Sequence, residues 1–146
     1  VAERIGAELG LPVFLYGEVA PDRSPAFFRR GGTEELARRL GAGEVWITAR
    51  HPHQAKLAHA FGATRVLSEA ETEPFALDAI GREAPIDLVV ETVGGQSDTL
   101  RAASAAVRPG GTISVVGLFL GGAPIDPFGL MLKEVTMAWS YCRACW

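Results

Sequence analysis

Residues 86–118, IDLVVETVGGQSDTLRAASAAVRPGGTISVVGL, decide the fold. Ile86–Glu91 and Thr112–Leu118 are short runs rich in Val, Ile and Leu with no alternation of apolar and polar residues. That pattern belongs to strands buried on both faces, as in a parallel sheet. Between them, Ser97–Val107 repeats apolar residues at helical spacing, with Leu100, Ala103 and Val107 on one face and Ser97 as the expected cap. Pro109-Gly110-Gly111 reads as the turn into the second strand. Strand, helix and strand in this order form a βαβ unit.

Working outward, the rhythm continues. Glu44–Thr48 is a strand. Pro52–Phe61 is a helix with Pro at its first position and Leu57, Ala58 and Phe61 on one face. Arg65–Leu67 is a strand, Glu73–Ile80 a helix, Phe128–Lys133 a helical turn and Glu134–Trp139 a last strand. Before residue 42 the spacing predicts a helix over Val1–Leu9, a strand over Pro12–Val19, a loop over residues 20–32 and a helix over Thr33–Leu40. The fold class is α/β: an incomplete doubly wound, Rossmann-like parallel sheet flanked by helices.

Composition sets outer bounds. With 48% hydrophobic and 21% charged residues among 146, the chain has the make-up of an ordinary globular domain. A formal charge of −3 gives no electrostatic case for nucleic acid or an anionic membrane surface. No apolar run approaches the roughly 20 residues of a membrane span. Two cysteines, Cys142 and Cys145, cannot build a disulfide framework, and a cytoplasmic setting is the expectation.

In a doubly wound sheet, ligands lie at the carboxyl ends of the strands. Those ends are Ala49-Arg50, Thr92-Val93-Gly94-Gly95 and Gly117-Leu118. An acid at the end of the second strand suits a free ribose 2′-hydroxyl. A neutral residue followed by Arg suits a 2′-phosphate, which guanidinium binds bidentately. Ala49-Arg50 has the second form, although Arg50 also reads as an ordinary solvated loop arginine. The glycines either let a ligand approach the backbone or simply turn the chain. Cys142 and Cys145 with His51 and His53 have the chemistry of zinc ligands, but a lone CxxC is a weak signal and no metal is assigned. His59 is expected to face solvent, and Glu69, Glu71 and Glu73 to form a solvated acidic loop.

The pieces EVWITARHPHQAKLAHAFGATRVL (44–67), IDLVVETVGG (86–95), AASAAVRPGGTISVVGL (102–118) and LKEVTMAWSYC (132–142) resemble, in order and spacing, the cofactor-binding half of a medium-chain (zinc-type or quinone-reductase-type) alcohol dehydrogenase. The resemblance covers residues 42 to about 141. It implies a nicotinamide-dinucleotide site with Ala49 and Arg50 at the adenosine ribose, Thr92, Val93 and Gly94 along the cofactor, and Gly117 and Leu118 near the nicotinamide. The family's first strand and G-x-G-x-x-G turn do not stand before Glu44, and its catalytic domain with the zinc ligands is absent. Binding of NADP is therefore expected to be weak or absent, with no catalysis by the chain alone.

Residues 1–40, VAERIGAELGLPVFLYGEVAPDRSPAFFRRGGTEELARRL, resemble part of the glutamate formiminotransferase N-terminal region. That implies two segments, 1–41 and 42–146, and two rival readings: a fragment of a folate-dependent formiminotransferase, or a recombined α/β domain without function. The strand–loop–helix unit of residues 12–40 also has the form needed to replace the missing first strand and helix. Without that replacement, neighbouring strands would expose an edge able to pair a second copy of the chain.

Overall fold

A single row of six parallel strands, in the order β3-β2-β1-β4-β5-β6, forms the centre of the computed structural model. The structure describes residues 13–16, 41–68, 70–72 and 74–140. The strands are β1 (Val13–Tyr16), β2 (Val45–Thr48), β3 (Arg65–Leu67), β4 (Ile86–Glu91), β5 (Val107–Val115) and β6 (Thr136–Trp139). Helices α1 (Pro52–Ala60), α2 (Pro74–Glu83), α3 (Thr99–Ala106) and α4 (Pro127–Leu132) lie between them in the chain, with a 3-10 turn at Ala70–Thr72. This is the doubly wound order, with its reversal between β1 and β4.

Val13–Tyr16 occupies the place of the first strand. Val13 pairs with Val45 on one side and with Leu88 on the other, so the sheet is continuous through its centre. The strand expected over Pro12–Val19 is thus present over Val13–Tyr16, the part of it among the described residues. The edge expected to lie open beside a missing strand is closed, and among the described residues the outermost strands are β3 and β6. The expected helices at 1–9 and 33–40, and the loop at 20–32, fall outside the described residues.

Two apolar clusters cover the two faces, as an all-parallel sheet requires. One gathers Trp46, Leu67, Ile86, Val89, Leu100, Ala103, Ala106, Val107, Ile113 and Val115, packed with α2 and α3. The other gathers Ala42, Val45, Ile47, Ala58 and Ala63, with Leu88 and Val90 against them. Successive residues of β2 therefore divide between the faces: Trp46 belongs to one cluster, Val45 and Ile47 to the other. Leu100 and Ala103 are buried as the helical spacing implies, whereas Val107, expected to end that helix, is extended and opens β5, buried there against β4.

Several local expectations are corrected. In α1 the buried pair is Gln54 and Ala58, four residues apart, and this turns Leu57 into solvent. Pro109-Gly110-Gly111 lies inside β5 as a bulge rather than before it. Between the paired steps Ile86↔Val107 and Leu88↔Thr112, one residue of β4 faces four of β5. Strand β5 stops at Val115, because the next two N–H groups turn to another acceptor described below. His59 is exposed as expected.

Glu71 is more than a solvated acid. It accepts from the Ser68 backbone N–H (2.9 Å) and hydroxyl (2.8 Å) and meets Arg65 at 3.3 Å. The Ser68 backbone hydrogen bond is the main cause that holds its carboxyl below the ordinary glutamate value. The guanidinium of Arg65 lies 4.6 Å from the centre of the Trp46 ring, which links the β3 edge to β2. Glu69 and Glu73 lie outside the described residues.

The carboxyl end of α3 is closed by a lysine. Lys133 Nζ donates to the carbonyls of Ser104 (2.9 Å), Ala105 (3.2 Å) and Val107 (3.2 Å), while its own carbonyl accepts from the bulge at Gly110 N–H (2.7 Å). A cation at a helix C-terminus satisfies leftover carbonyls and offsets the helix dipole. Lys133→Met keeps the aliphatic stem and removes the donors. We expect it to lower the unfolding free energy in urea by about 1–3 kcal/mol. An unchanged value would mean that water serves these carbonyls equally well.

Candidate functional site

The pairing register brings the carboxyl ends of the strands to one level. Tyr16 stands beside Glu91, Glu91 beside Val115, Val115 beside Trp139, and Thr48 beside Leu67. Ala49-Arg50, Thr92–Gly95 and Val116–Leu118 therefore emerge from one edge of the sheet. The last two segments are joined to each other. The first stands on the far side of β1, two strand spacings or roughly 10 Å from β4.

Just past β2, the Ala49 N–H donates to the Leu67 carbonyl (2.9 Å), so the bonding to β3 continues one residue beyond the strand. The chain then turns sharply into α1. The Arg50 and His51 N–H groups both donate to Gln54 Oε1, at 3.1 and 3.0 Å, and the Gln54 side chain is buried. One amide oxygen thereby satisfies two N–H groups that a helix start leaves without intrahelical partners. Pro52 at the first helical position requires no such donor. Ala49 is half-buried and Arg50 exposed. His51 and His53 are both exposed and stack with ring centres 5.5 Å apart.

At the end of β4 stands Glu91, a wholly buried carboxylate that follows the apolar run Leu88-Val89-Val90. Its Oε1 accepts from the N–H groups of Val93 (2.9 Å) and Gly94 (3.0 Å) and from the Thr99 hydroxyl (2.7 Å). Its backbone carbonyl accepts from the N–H groups of Val116 (2.8 Å) and Gly117 (3.0 Å), which is what ends β5. The Gly95 N–H donates to the Leu118 carbonyl (2.8 Å) and completes the junction. Ser97, expected as the cap of α3, instead donates to the Gly94 carbonyl (2.7 Å), and the cap position falls to Asp98. Thr92 is half-buried, Val93 is 41% exposed and Leu118 56% exposed.

Two glycines make this junction sterically feasible. Gly94 has φ +64°, and a Cβ there would collide with the backbone of Leu118. A Cβ on Gly117 would collide with Glu91 Oε2 and the Gly94 nitrogen. Both positions thus serve loop-to-loop contact within the protein.

The sequence reading missed Gln54 and Glu91. A signal existed for each. His51-x-x-Gln54 has the spacing of a capping box. Glu91 is an acid that directly follows the apolar run Leu88-Val89-Val90 of a central strand, where an unpaired charge is costly.

Among the described residues, no group of three or more His, Cys, Asp and Glu side chains is arranged to hold a metal ion, and no helix is long and apolar enough to cross a membrane. Cys142 and Cys145 lie outside the described residues.

Comparison with known proteins follows the same geometry. The sequence model of zinc-binding dehydrogenases matches residues 33–144. Sorbitol dehydrogenase of Bacillus subtilis is 31% identical over 106 residues, which is 64% of this chain and 30% of that protein. A probable zinc-binding alcohol dehydrogenase of Mycobacterium tuberculosis is 36% identical over 99 residues, 66% of this chain and 24% of that protein. The crystal structure of an alcohol dehydrogenase from Thermotoga maritima superimposes with a TM-score of 0.72 at 28% identity, covering 94% of this chain and 37% of that one. The chain thus spans about a third or less of the length of these relatives. The formiminotransferase reading of residues 1–40 gains no support, since the described part of that segment, Val13–Tyr16, is built into the dehydrogenase-like sheet.

Gly94→Ala tests the loop junction. A left-handed alanine together with the Leu118 collision is expected to cost about 2 kcal/mol or more in urea unfolding. An unchanged midpoint would show that the two loops do not meet in this way.

Proposed function

The chain belongs to the zinc-binding dehydrogenase family, and on that premise we propose that it is a nicotinamide-dinucleotide-binding unit that prefers NADP(H), holds it weakly and performs no hydride transfer by itself. The supporting observation is the shared carboxyl edge at the β1/β4 reversal, where dinucleotides lie in this fold. Ala49-Arg50 flanks it on one side. Thr92, Val93 and Gly94 flank it on the other, with Gly117 and Leu118.

These residues fit the two ends of such a ligand. Ala49 presents no carboxylate to repel a 2′-phosphate, and the exposed Arg50 carries the guanidinium suited to one. Val93 and Leu118 offer exposed apolar surface for the nicotinamide half, and the backbone at Gly95 is open, with nothing within 4 Å of where a Cβ would stand. When bound, the dinucleotide supplies the hydride chemistry, and the residues named here bind and orient it. The segment after β1 carries Arg23, Arg29 and Arg30 but not the G-x-G-x-x-G spacing that lets backbone N–H groups reach a pyrophosphate. Weak binding follows from that departure. Among the described residues, no set of side chains is arranged to hold zinc.

The reading keeps a division near residue 41, with residues 1–41 supplying β1 and residues 42–146 the remaining strands. It extends to a cytoplasmic setting and to a homodimer through a sheet edge. With the centre of the sheet filled, the edge concerned is β6, where Thr136, Ala138 and Trp139 are exposed.

Calorimetric titration with NADPH and NADH tests the proposal. We expect micromolar binding of NADPH and weaker binding of NADH. Arg50→Ala should weaken NADPH by about tenfold and leave NADH nearly unchanged. A folded chain that takes up neither ligand would overturn the reading. Light scattering tests the dimer: the expected mass is twice 15.5 kDa, returning to the single value in Trp139→Lys. A wild-type mass of 15.5 kDa would remove the dimer from the proposal.

A further inference from the structure

Glu91 is anomalous among the buried residues. Its side chain is wholly inaccessible, and its Oε2 is, among the described residues, the buried side-chain polar atom without a hydrogen-bond partner. A buried carboxylate is costly, and one with an unsatisfied oxygen more so. Filling the end of a parallel strand needs only an apolar residue such as Val89 two positions earlier. What a carboxylate adds is a charged acceptor, whose hydrogen bonds are shorter and stronger than neutral ones. Here three donors converge on one oxygen: the Val93 and Gly94 N–H groups and the Thr99 hydroxyl. The other oxygen packs against the Cα of Gly117, and the backbone carbonyl of the same residue holds Val116 and Gly117.

We infer that Glu91 is a positioning residue for the dinucleotide edge. Its carboxylate fixes the loop of residues 92–95, its carbonyl fixes the loop of residues 116–118, and the two loops that carry the exposed apolar side chains Val93 and Leu118 are thereby held together. The inference rests on the cofactor reading given above. Glu91 acts through these loops and touches no ligand, being fully buried. Arg50 stands across β1 and its backbone N–H is held by Gln54, so the adenosine end is independent of Glu91.

That independence supplies a readout which general destabilisation would not reproduce. In the full 146-residue chain, Glu91→Ala should weaken NADPH by about tenfold. It should change 2′-phospho-ADP-ribose, which lacks the nicotinamide, by less than about twofold. Glu91→Gln should restore most of the NADPH affinity, because its amide oxygen accepts from the same donors. Equal losses on the two ligands, no loss on either, or no rescue by Gln would overturn the inference. Amide hydrogen exchange on the unsubstituted protein needs neither ligand nor variant. Val93 and Gly94 should be protected although Val93 is exposed, and exchange at the rate of free amides would also overturn it. Protected amides in a chain that binds neither ligand would instead defeat the cofactor reading, and with it the positioning role, leaving Glu91 as a structural tie.

Discussion

A parallel sheet can stand only if both of its faces are covered and its central strands are paired on both sides. In this chain the second requirement rests on four residues, Val13–Tyr16, which bond to β2 on one side and β4 on the other. Without them the strands after residue 44 would divide into a pair, β3 and β2, and a trio, β4, β5 and β6. With them, Val45 and Ile47 share an apolar layer with Leu88 and Val90, although β2 and β4 never touch as neighbours. The carboxyl edge inherits its geometry from the same pairing, because the level at which Tyr16 meets Glu91 sets where every later loop departs.

Along that edge the chain uses a single device twice. At the end of β2 a buried amide, Gln54, gathers two N–H groups; at the end of β4 a buried carboxylate, Glu91, gathers two more together with a hydroxyl. In each place the backbone changes direction within two or three residues, and its donors have lost the ladder that served them in the strand. A neutral acceptor suffices at an exposed turn into a helix. Where two loops must lie against each other with little water, the stronger acceptor stands.

Much of this was legible in the sequence because it depends on pattern. Strands buried on both faces, such as IDLVVE, and helices with an apolar stripe, such as the one holding Leu100 and Ala103, announce themselves by spacing. The replacement of the first strand by Val13–Tyr16 could be anticipated from its composition and its place before β2. Features that depend on a single side chain meeting a distant backbone group were less visible. The bulge at residues 108–111 follows from how β5 meets the chain at Lys133, whereas Pro-Gly-Gly by itself reads as a turn. The exposure of Leu57 follows from Gln54 taking the buried position one turn earlier. Ser97 lost its expected place as cap because the Gly94 carbonyl lay within its reach.

The source of the central strand bears on how the sheet assembles. Val13 finds its partners 32 and 75 residues further along, at Val45 and Leu88. Contacts between segments so far apart close large loops before any bonding compensates for the lost chain entropy, and they slow folding accordingly. The helices and the β4–α3–β5 unit have nearer partners and can organise first. During that interval the inner margins of β2 and β4 are both unpaired and of matching polarity. Synthesis from the amino end lessens the hazard, since the four residues that must fill the gap already exist when each flanking strand appears.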